Sequence, residues 1–282
     1  MRTLAAADET RSAVAEGRRR GARVAFVPTM GALHEGHLAL VNEARRQAEL
    51  VVMSIFVNPL QFGPAEDLAR YPRDLAGDAA KAAARGVDLL FTPDVATMYP
   101  RPPRVTLAPG ALAERWEGAV RPGHFAGVLT VVAKLFNVVQ PDVAVFGQKD
   151  IQQATLVRAM ARDLDFPLAV VVAPTVREPD GLAMSSRNVY LRPAERRSAL
   201  ALPRALDAVR AAWRGGEADA VALTAVGRAV LDAEAGLAVD YLALVDPETL
   251  EPLREAIPGA VVVAAVRAGA TRLIDNIVLG GA

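Results

Sequence analysis

Short apolar runs alternate with helical repeats through the first two-thirds of the chain. Residues 24–27, 51–57, 89–91, 143–146 and 168–172 read as strands. The second of these, Val-Val-Met-Ser-Ile-Phe-Val, is almost continuously apolar, as a parallel strand covered on both faces should be. Between the runs, residues 37–49, 74–85, 127–139 and 151–163 carry helical spacing. In 127–139 the polar positions Thr130, Lys134 and Asn137 form one narrow stripe, so this helix is expected to be buried on most sides. Strands alternating with helices predict an α/β fold, an open and mostly parallel sheet with helices on both faces.

From Pro193 the pattern changes. Proline at a helix start opens an Ala- and Arg-rich helix, bent at Pro203, that reaches Trp213 before Gly215-Gly216 stops it. A second helical pattern covers 219–235. Strands follow at 239–245, 260–266 and 273–279, the last two joined by a short Ala-Gly-Ala-Thr connection like a hairpin. This predicts a smaller C-terminal α+β domain. The expected division is a catalytic domain, 1–187, and a second domain, 188–282, that covers the ligand crevice. Tyr241, Asp246 and Asp275 receive no role from the sequence.

Composition narrows the function classes. A chain of 282 residues can bury one large or two ordinary cores. Lys plus Arg equals Asp plus Glu, 32 against 32, so no basic field draws in nucleic acid. The short clusters Arg18–Arg20 and Arg196–Arg197 read as solvated surface. Cysteine is absent, which suits the cytoplasm. Residues 1–21, interrupted by Asp8, Glu9 and Glu16, lack the apolar core of a signal peptide, and no uncharged apolar run reaches bilayer length. The expectation is a soluble, cytoplasmic protein with no membrane or nucleic-acid partner.

The candidate chemistry sits at the carboxyl ends of the expected strands, the edge where open α/β sheets form their ligand crevice. Thr29-Met-Gly follows the first strand and Asn58-Pro-Leu-Gln-Phe the second. Gly147-Gln-Lys-Asp and Pro174-Thr-Val-Arg-Glu follow the last two. Neither a Gly-x-Gly-x-x-Gly turn nor a Gly-x-x-x-x-Gly-Lys-Ser/Thr loop is present, which disfavours an NAD dehydrogenase and a P-loop kinase. Instead Pro28-Thr-Met-Gly-Ala-Leu-His-Glu-Gly-His-Leu-Ala-Leu-Val41 places His34 and His37, two of only three histidines, where a strand gives way to a helix. Backbone N–H groups and the positive end of a helix dipole make that junction a phosphate site. The pair also fits surface polar residues near a helix start. Zinc does not fit: His-Glu-Gly-His is one residue short of His-Glu-x-x-His, and no thiolate is available.

These residues carry a resemblance. His34-Glu-Gly-His37 is similar to the His-x-Gly-His element of the class I synthetase and nucleotidyltransferase superfamily. Met184-Ser-Ser-Arg-Asn188 is similar to that superfamily's second, mobile phosphate loop, with Arg187 where many members carry lysine. More narrowly, the histidine segment, Asn58-Pro-Leu-Gln-Phe62, Arg121-Pro-Gly-His-Phe125, Phe146-Gly-Gln-Lys-Asp150 and Arg177-Glu-Pro-Asp-Gly-Leu-Ala-Met-Ser-Ser-Arg-Asn188 occur in the order and spacing of the pantothenate synthetase family. The resemblance spans roughly residues 23–191 and implies a Rossmann-like catalytic domain. That family joins pantoate to β-alanine with ATP as co-substrate, releasing AMP and pyrophosphate.

The resemblance gives the residues roles. A pantoate oxygen attacks the α-phosphorus in line, so the protein's task is positioning and charge neutralisation. His34, His37 and Lys149 would bind the phosphates, and Ser185, Ser186 and Arg187 would close over pyrophosphate as a lid. Met30, Gly147, Asp150, Val176 and Met184 complete the implied ATP set, with Asp150 on the ribose. Gln61 and Gln153 would hold pantoate, with Met30 packed nearby. Asn58, Tyr71, Arg121 and His124 would lie on the pantoate or β-alanine side. Asp78, with Asp74 beside it, matches an acidic segment associated with Mg²⁺.

Each residue also has a plainer reading. Asp74 and Asp78, four apart, fit a solvated helix face, His124 a turn and Met30 a core filler. Lys149 is one of three lysines, yet Lys134 is another with no role. Family members are commonly homodimers. Two other classes stay open: a nucleotidyltransferase sharing the histidine element, and a non-catalytic nucleotide-binding module.

Overall fold

The computed structural model describes residues 1–64 and 68–280. Gly281 and Ala282, the last residues of the expected second domain, lie outside the described residues. Two compact units emerge, one of residues 1–147 and 152–174, the other of residues 148–151 and 175–282. The expected division at 187/188 thus falls within the second unit, which also takes in 148–151 and 175–187.

In the first unit the elements run β1 (Arg2–Leu4), α1 (Ala7–Arg19), β2 (Val24–Thr29), α2 (Glu35–Gln47), β3 (Leu50–Ile55), α3 (Leu75–Ala84) and β4 (Leu89–Phe91). They continue with α4 (Val95–Met98), α5 (Glu117–Val120), α6 (His124–Val139), β5 (Val143–Gly147), α7 (Ile151–Asp163) and β6 (Ala169–Ala173). The strands form one parallel sheet in the order β1-β4-β3-β2-β5-β6. The chain winds outward from β2 through β3 to β4, then restarts on the other side at β5. The order therefore reverses between β2 and β5, the place where open α/β sheets bind ligands beyond the carboxyl ends of their strands.

Strand alternation sends side chains to two separate cores. Phe26, Val52, Phe91 and Phe146 meet Val14 of α1, Leu129 and Phe136 of α6, and Val157 of α7 on one face. Ala25, Val27, Met53 and Val145 meet Val41 of α2 and Ala82 of α3 on the other. Helix α6 is buried along most of its length, but its expected polar stripe divides. Lys134 and Asn137 are exposed, whereas buried Thr130 accepts the Leu107 N–H at 3.1 Å.

Two local outcomes differ from the sequence pattern. Residues 2–19 form β1 and α1, which the apolar pattern did not announce, because α1 buries Thr10, Ala13, Val14 and Gly17, mostly small side chains with a weak periodic signal. In the second unit, α8 (Pro193–Ala199) and α9 (Ala201–Arg214) part at Leu200 rather than bending at Pro203. Pro203 lies in the first turn of α9, where a backbone N–H would have no intrahelical partner.

The second unit continues with α10 (Ala220–Asp232), β7 (Leu237–Val245), β8 (Val261–Ala268) and β9 (Thr271–Val278). Its antiparallel sheet has the order β7-β8-β9 and shares a core with α8, α9 and α10, built on Leu202, Leu206, Leu223, Leu231, Val262 and Ile277. Among the described residues no helix is long and apolar enough to cross a membrane.

Candidate active site

The histidine segment leaves β2 in a loop fixed from two sides. Thr29 Oγ1 donates to the Ser54 carbonyl at 2.7 Å and accepts the Gly31 N–H at 3.2 Å. Gly31 (φ +86°) and Ala32 (φ +52°) both adopt left-handed backbone. A Cβ on Gly31 would stand 3.0 Å from Asp78 Oδ2 and from Ile55 Cγ2, so both conformation and space call for glycine there. From α3, Asp78 accepts the Ala32 and Leu33 amides on its two oxygens, at 2.7 Å each, and Lys81 Nζ donates to the Leu33 carbonyl at 2.8 Å.

His34 is the N-cap of α2. Its Nδ1 accepts the Gly36 N–H at 3.1 Å, and His37 Nδ1 receives the His34 N–H at 3.4 Å. The rings lie 4.1 Å apart. An imidazole nitrogen that accepts carries no proton, so both neutral rings hold theirs on Nε2. The sequence thus builds two Nε2–H donors at a helix N-terminus, the geometry an anion requires.

The implied magnesium ligand does not fit. Asp78 is 2% exposed, and both of its oxygens hold the histidine loop. Asp74 caps α3, accepting the Gly77 N–H at 2.9 Å. Among the described residues no group of three or more His, Cys, Asp or Glu side chains is placed to hold a metal ion. The solvated-face reading of Asp78 fails as well.

Beyond β3 a second cluster forms around Gln61, on the turn Pro59–Gln61. Asn58 Nδ2 donates to Gln61 Oε1 and to the Gly127 carbonyl, both at 3.1 Å, while Tyr99 Oη donates to Asn58 Oδ1 at 2.9 Å. Burial pushes the Tyr99 phenol up to about 12 and so keeps it a donor. Gln61 Nε2 points to Met30 Sδ at 3.0 Å, a weak acceptor readily exchanged for a better one. His124 is buried, and its ring accounts for both nitrogens: Nδ1–H donates to the Gln61 carbonyl at 2.8 Å, and Nε2 accepts from Arg121 Nη1 at 2.9 Å. Arginine can only donate, which fixes that tautomer. Gly127 lets α6 approach this turn, since a Cβ there would meet the Leu60 carbonyl oxygen at 2.2 Å.

Met30, Asn58, Gln61, Arg121 and His124 are therefore one bonded cluster. Tyr71 is buried with its ring 6.1 Å from Phe62, and Gln153 is half-buried on α7. Its neighbour Gln152, to which the sequence assigned nothing, accepts the Glu117 N–H and donates to the Leu112 and Arg115 carbonyls, all at 3.0 Å. Gln152 so pins the segment that leads to Arg121. Tyr99 likewise went unread, since nothing in its local sequence marks it as Asn58's partner.

The second unit holds the remaining candidates. Lys149 Nζ stands 3.7 Å from Asp150 Oδ1. The Val176 carbonyl accepts the Met184 N–H at 2.9 Å, and Arg177 pairs with Ala183 in an antiparallel bridge, so the chain enters the serine loop from a small hairpin. Ser185 caps the turn Ser186–Tyr190, its Oγ accepting the Arg187 N–H at 3.2 Å. Asn188 Nδ2 donates to Glu178 Oε1 and the Ala183 carbonyl, and Arg196 clamps Glu178 at 2.7 Å and Asp180 at 2.6 Å. The Arg196 hydrogen bond holds the Glu178 carboxyl below its usual range. Ser185, Ser186 and Arg187 are half-buried.

The family model described as pantoate–beta-alanine ligase matches residues 2–278. The pantothenate synthetase of Agrobacterium fabrum is 53% identical over 281 residues, which cover 99% of this chain and 96% of that protein. The crystal structure of pantothenate synthetase from Thermus thermophilus is similar with a TM-score of 0.92 at 52% identity, covering 98% of this chain and 99% of that one. A pantoate–beta-alanine ligase from Francisella tularensis, solved in complex with beta-gamma ATP and beta-alanine, is similar with a TM-score of 0.81 at 31% identity, covering 99% and 97%. The chain belongs to the pantoate–β-alanine ligase family, enzymes of pantothenate biosynthesis that form pantothenate in an ATP-dependent reaction.

Proposed function

We propose that this chain makes pantothenate in two steps, through a pantoyl-adenylate. A pantoate carboxylate oxygen attacks the α-phosphorus of ATP, the bond to the β-phosphate oxygen breaks, and pyrophosphate leaves with that electron pair. The β-alanine amine then attacks the acyl carbon, AMP leaves, and the nitrogen gives up a proton. No protein nucleophile is required, so acceleration rests on holding the reactants in line and neutralising charge.

The observation that carries this reading is the histidine pair at the start of α2, each Nδ1 facing a backbone N–H so that Nε2 is left to donate. His34 and His37 donate there to the α/β-phosphate region, where negative charge moves as pyrophosphate departs. Lys149 adds a compact positive charge, and Ser185, Ser186 and Arg187 bind the leaving pyrophosphate. Gly147, Asp150, Val176 and Met184 hold the nucleoside end. Gln61 and Gln153 take the pantoate hydroxyls and carboxylate, Gln61 exchanging Met30 sulfur for substrate oxygen. Asn58, Tyr71, Arg121 and His124 shape that pocket, His124 by fixing the Gln61 backbone.

Magnesium is taken as part of the nucleotide co-substrate, and no carboxylate of this chain is assigned to it. The homodimeric state implied by the resemblance and the cytoplasmic location expected from the composition belong to the same proposal, the former checked by light scattering of the purified protein.

The test is pantoate-dependent exchange of labelled pyrophosphate into ATP without β-alanine. Exchange that requires pantoate, followed by pantothenate and AMP once β-alanine is added, is the expected result. Bound ATP with no exchange would overturn the adenylate mechanism.

A further inference from the structure

Strand β9 buries two consecutive polar residues, Asp275 at 2% and Asn276 at 1% exposure. Neighbours along a strand face opposite sides, so one strand carries two buried polar groups into two different surroundings. Burial of this kind is costly unless every group is paired, and both are. Arg177 grips Asp275 with Nη1 at 2.6 Å and Nη2 at 3.1 Å, and the Asn276 N–H donates to Asp275 Oδ1 at 2.8 Å. The Asn276 side chain turns instead to the segment just after β5. Its Nδ2 donates to the Gln148 carbonyl at 2.8 Å and the Lys149 carbonyl at 3.0 Å, while its Oδ1 accepts from Gln148 Nε2 at 3.1 Å.

Two of these bonds hold consecutive peptide carbonyls and the third holds the Gln148 side chain. Strand β9 is the edge of its sheet, and Asn276 does for residues 148–149 what a further strand's backbone would do. A lysine on a flexible four-carbon stem is a precise phosphate ligand only if its own backbone is fixed. We propose that Asn276 is a positioning residue for Lys149, with the Arg177–Asp275 pair fixing the strand that carries it. This rests on the reading that Lys149 acts on the phosphates during adenylate formation.

The experiment is a double-mutant cycle of Asn276→Ala and Lys149→Ala in the full chain, read by pantoate-dependent pyrophosphate exchange and by melting temperature. In the wild-type background Asn276→Ala should lower kcat for exchange about tenfold to a hundredfold, the scale set by small misplacements of catalytic groups. The KM for pantoate should move less than about twofold. In the Lys149→Ala background the same substitution should change exchange less than about twofold, since nothing is left to position.

An equal loss in both backgrounds would overturn the proposal, as would unchanged kcat in a folded Asn276→Ala protein. Should that variant fail to fold, Asn276→Asp takes its place, of the same size but presenting a carboxylate to two carbonyls, and the same cycle is read. Normal exchange by Lys149→Ala alone would remove the assigned role of Lys149, and the proposal with it. A large loss there beside an inert Asn276 variant would remove only the proposal.

Discussion

Asp78 holds two backbone amides with the two oxygens of one carboxylate, a task its amide counterpart cannot perform. Asparagine offers one oxygen and one NH₂, so in Asp78→Asn either Ala32 or Leu33 would present its N–H to a donor. A buried donor left unpaired costs about 1–3 kcal/mol. The strain would fall on the loop whose end fixes both histidine tautomers. Asp78→Asn should therefore melt lower and form adenylate at least about tenfold more slowly, on the scale of a lost positioning contact. Titrating Mg²⁺ into the exchange assay separates the two accounts of this residue. Activity that stays low at saturating Mg²⁺ is expected, whereas recovery would return the carboxylate to the metal. A spacing of four between two aspartates is legible in sequence, but it does not say which backbone groups lie in front of them. That depends on the left-handed turn at Gly31 and Ala32, set by tertiary space around Ile55 and Asp78 itself.

At the scale of elements, the hairpin leading into the serine loop depends on ionised carboxylates. Arg196 lowers the pKa of Glu178 from 4.5, so Glu178 releases its proton more readily folded than unfolded. The stabilisation is then fully present above about pH 4.5 and is lost as pH falls through the lower folded value. Melting temperature should decline below that pH, and Arg196→Gln should melt lower at pH 7 with a shallower acid decline. An unchanged acid slope in that variant would show that other carboxylates govern the decline. Strands β2 to β6 of the parallel sheet were legible because they write themselves as short apolar runs, and β4 fell on residues 89–91 as expected, whereas the three-residue β1 was not. Helix α1 was not, since Ala13 and Gly17 face the core through size rather than hydrophobicity, and Gly17 meets Leu50 closely. The roles of Tyr99 and Gln152 stayed invisible for a related reason. Their partners lie 41 and at least 35 positions away, and no local pattern encodes such a pairing.

For the whole molecule, equal numbers of acidic and basic residues give a net charge of zero at pH 7 and an isoelectric point near 6.9. Self-repulsion is then at its weakest under neutral conditions. Solubility in low salt should pass through a minimum close to pH 7 and rise on either side, measured as the protein left in solution after concentration. A minimum displaced by more than about one pH unit would mean that bound ions set the charge. The second unit also has a consequence for how this enzyme can be recombined. Its residues come from two separate stretches of the gene, with 148–151 carried inside the sequence of the first unit. A hybrid that grafts a relative's C-terminal third onto this N-terminal part would keep Lys149 yet import a foreign β9. Crossovers at any single point between 151 and 275 separate the lysine from the asparagine that holds it. Chimeras are expected to keep exchange activity where the imported β9 carries asparagine at position 276, because the carbonyls it holds are backbone groups that any parent supplies.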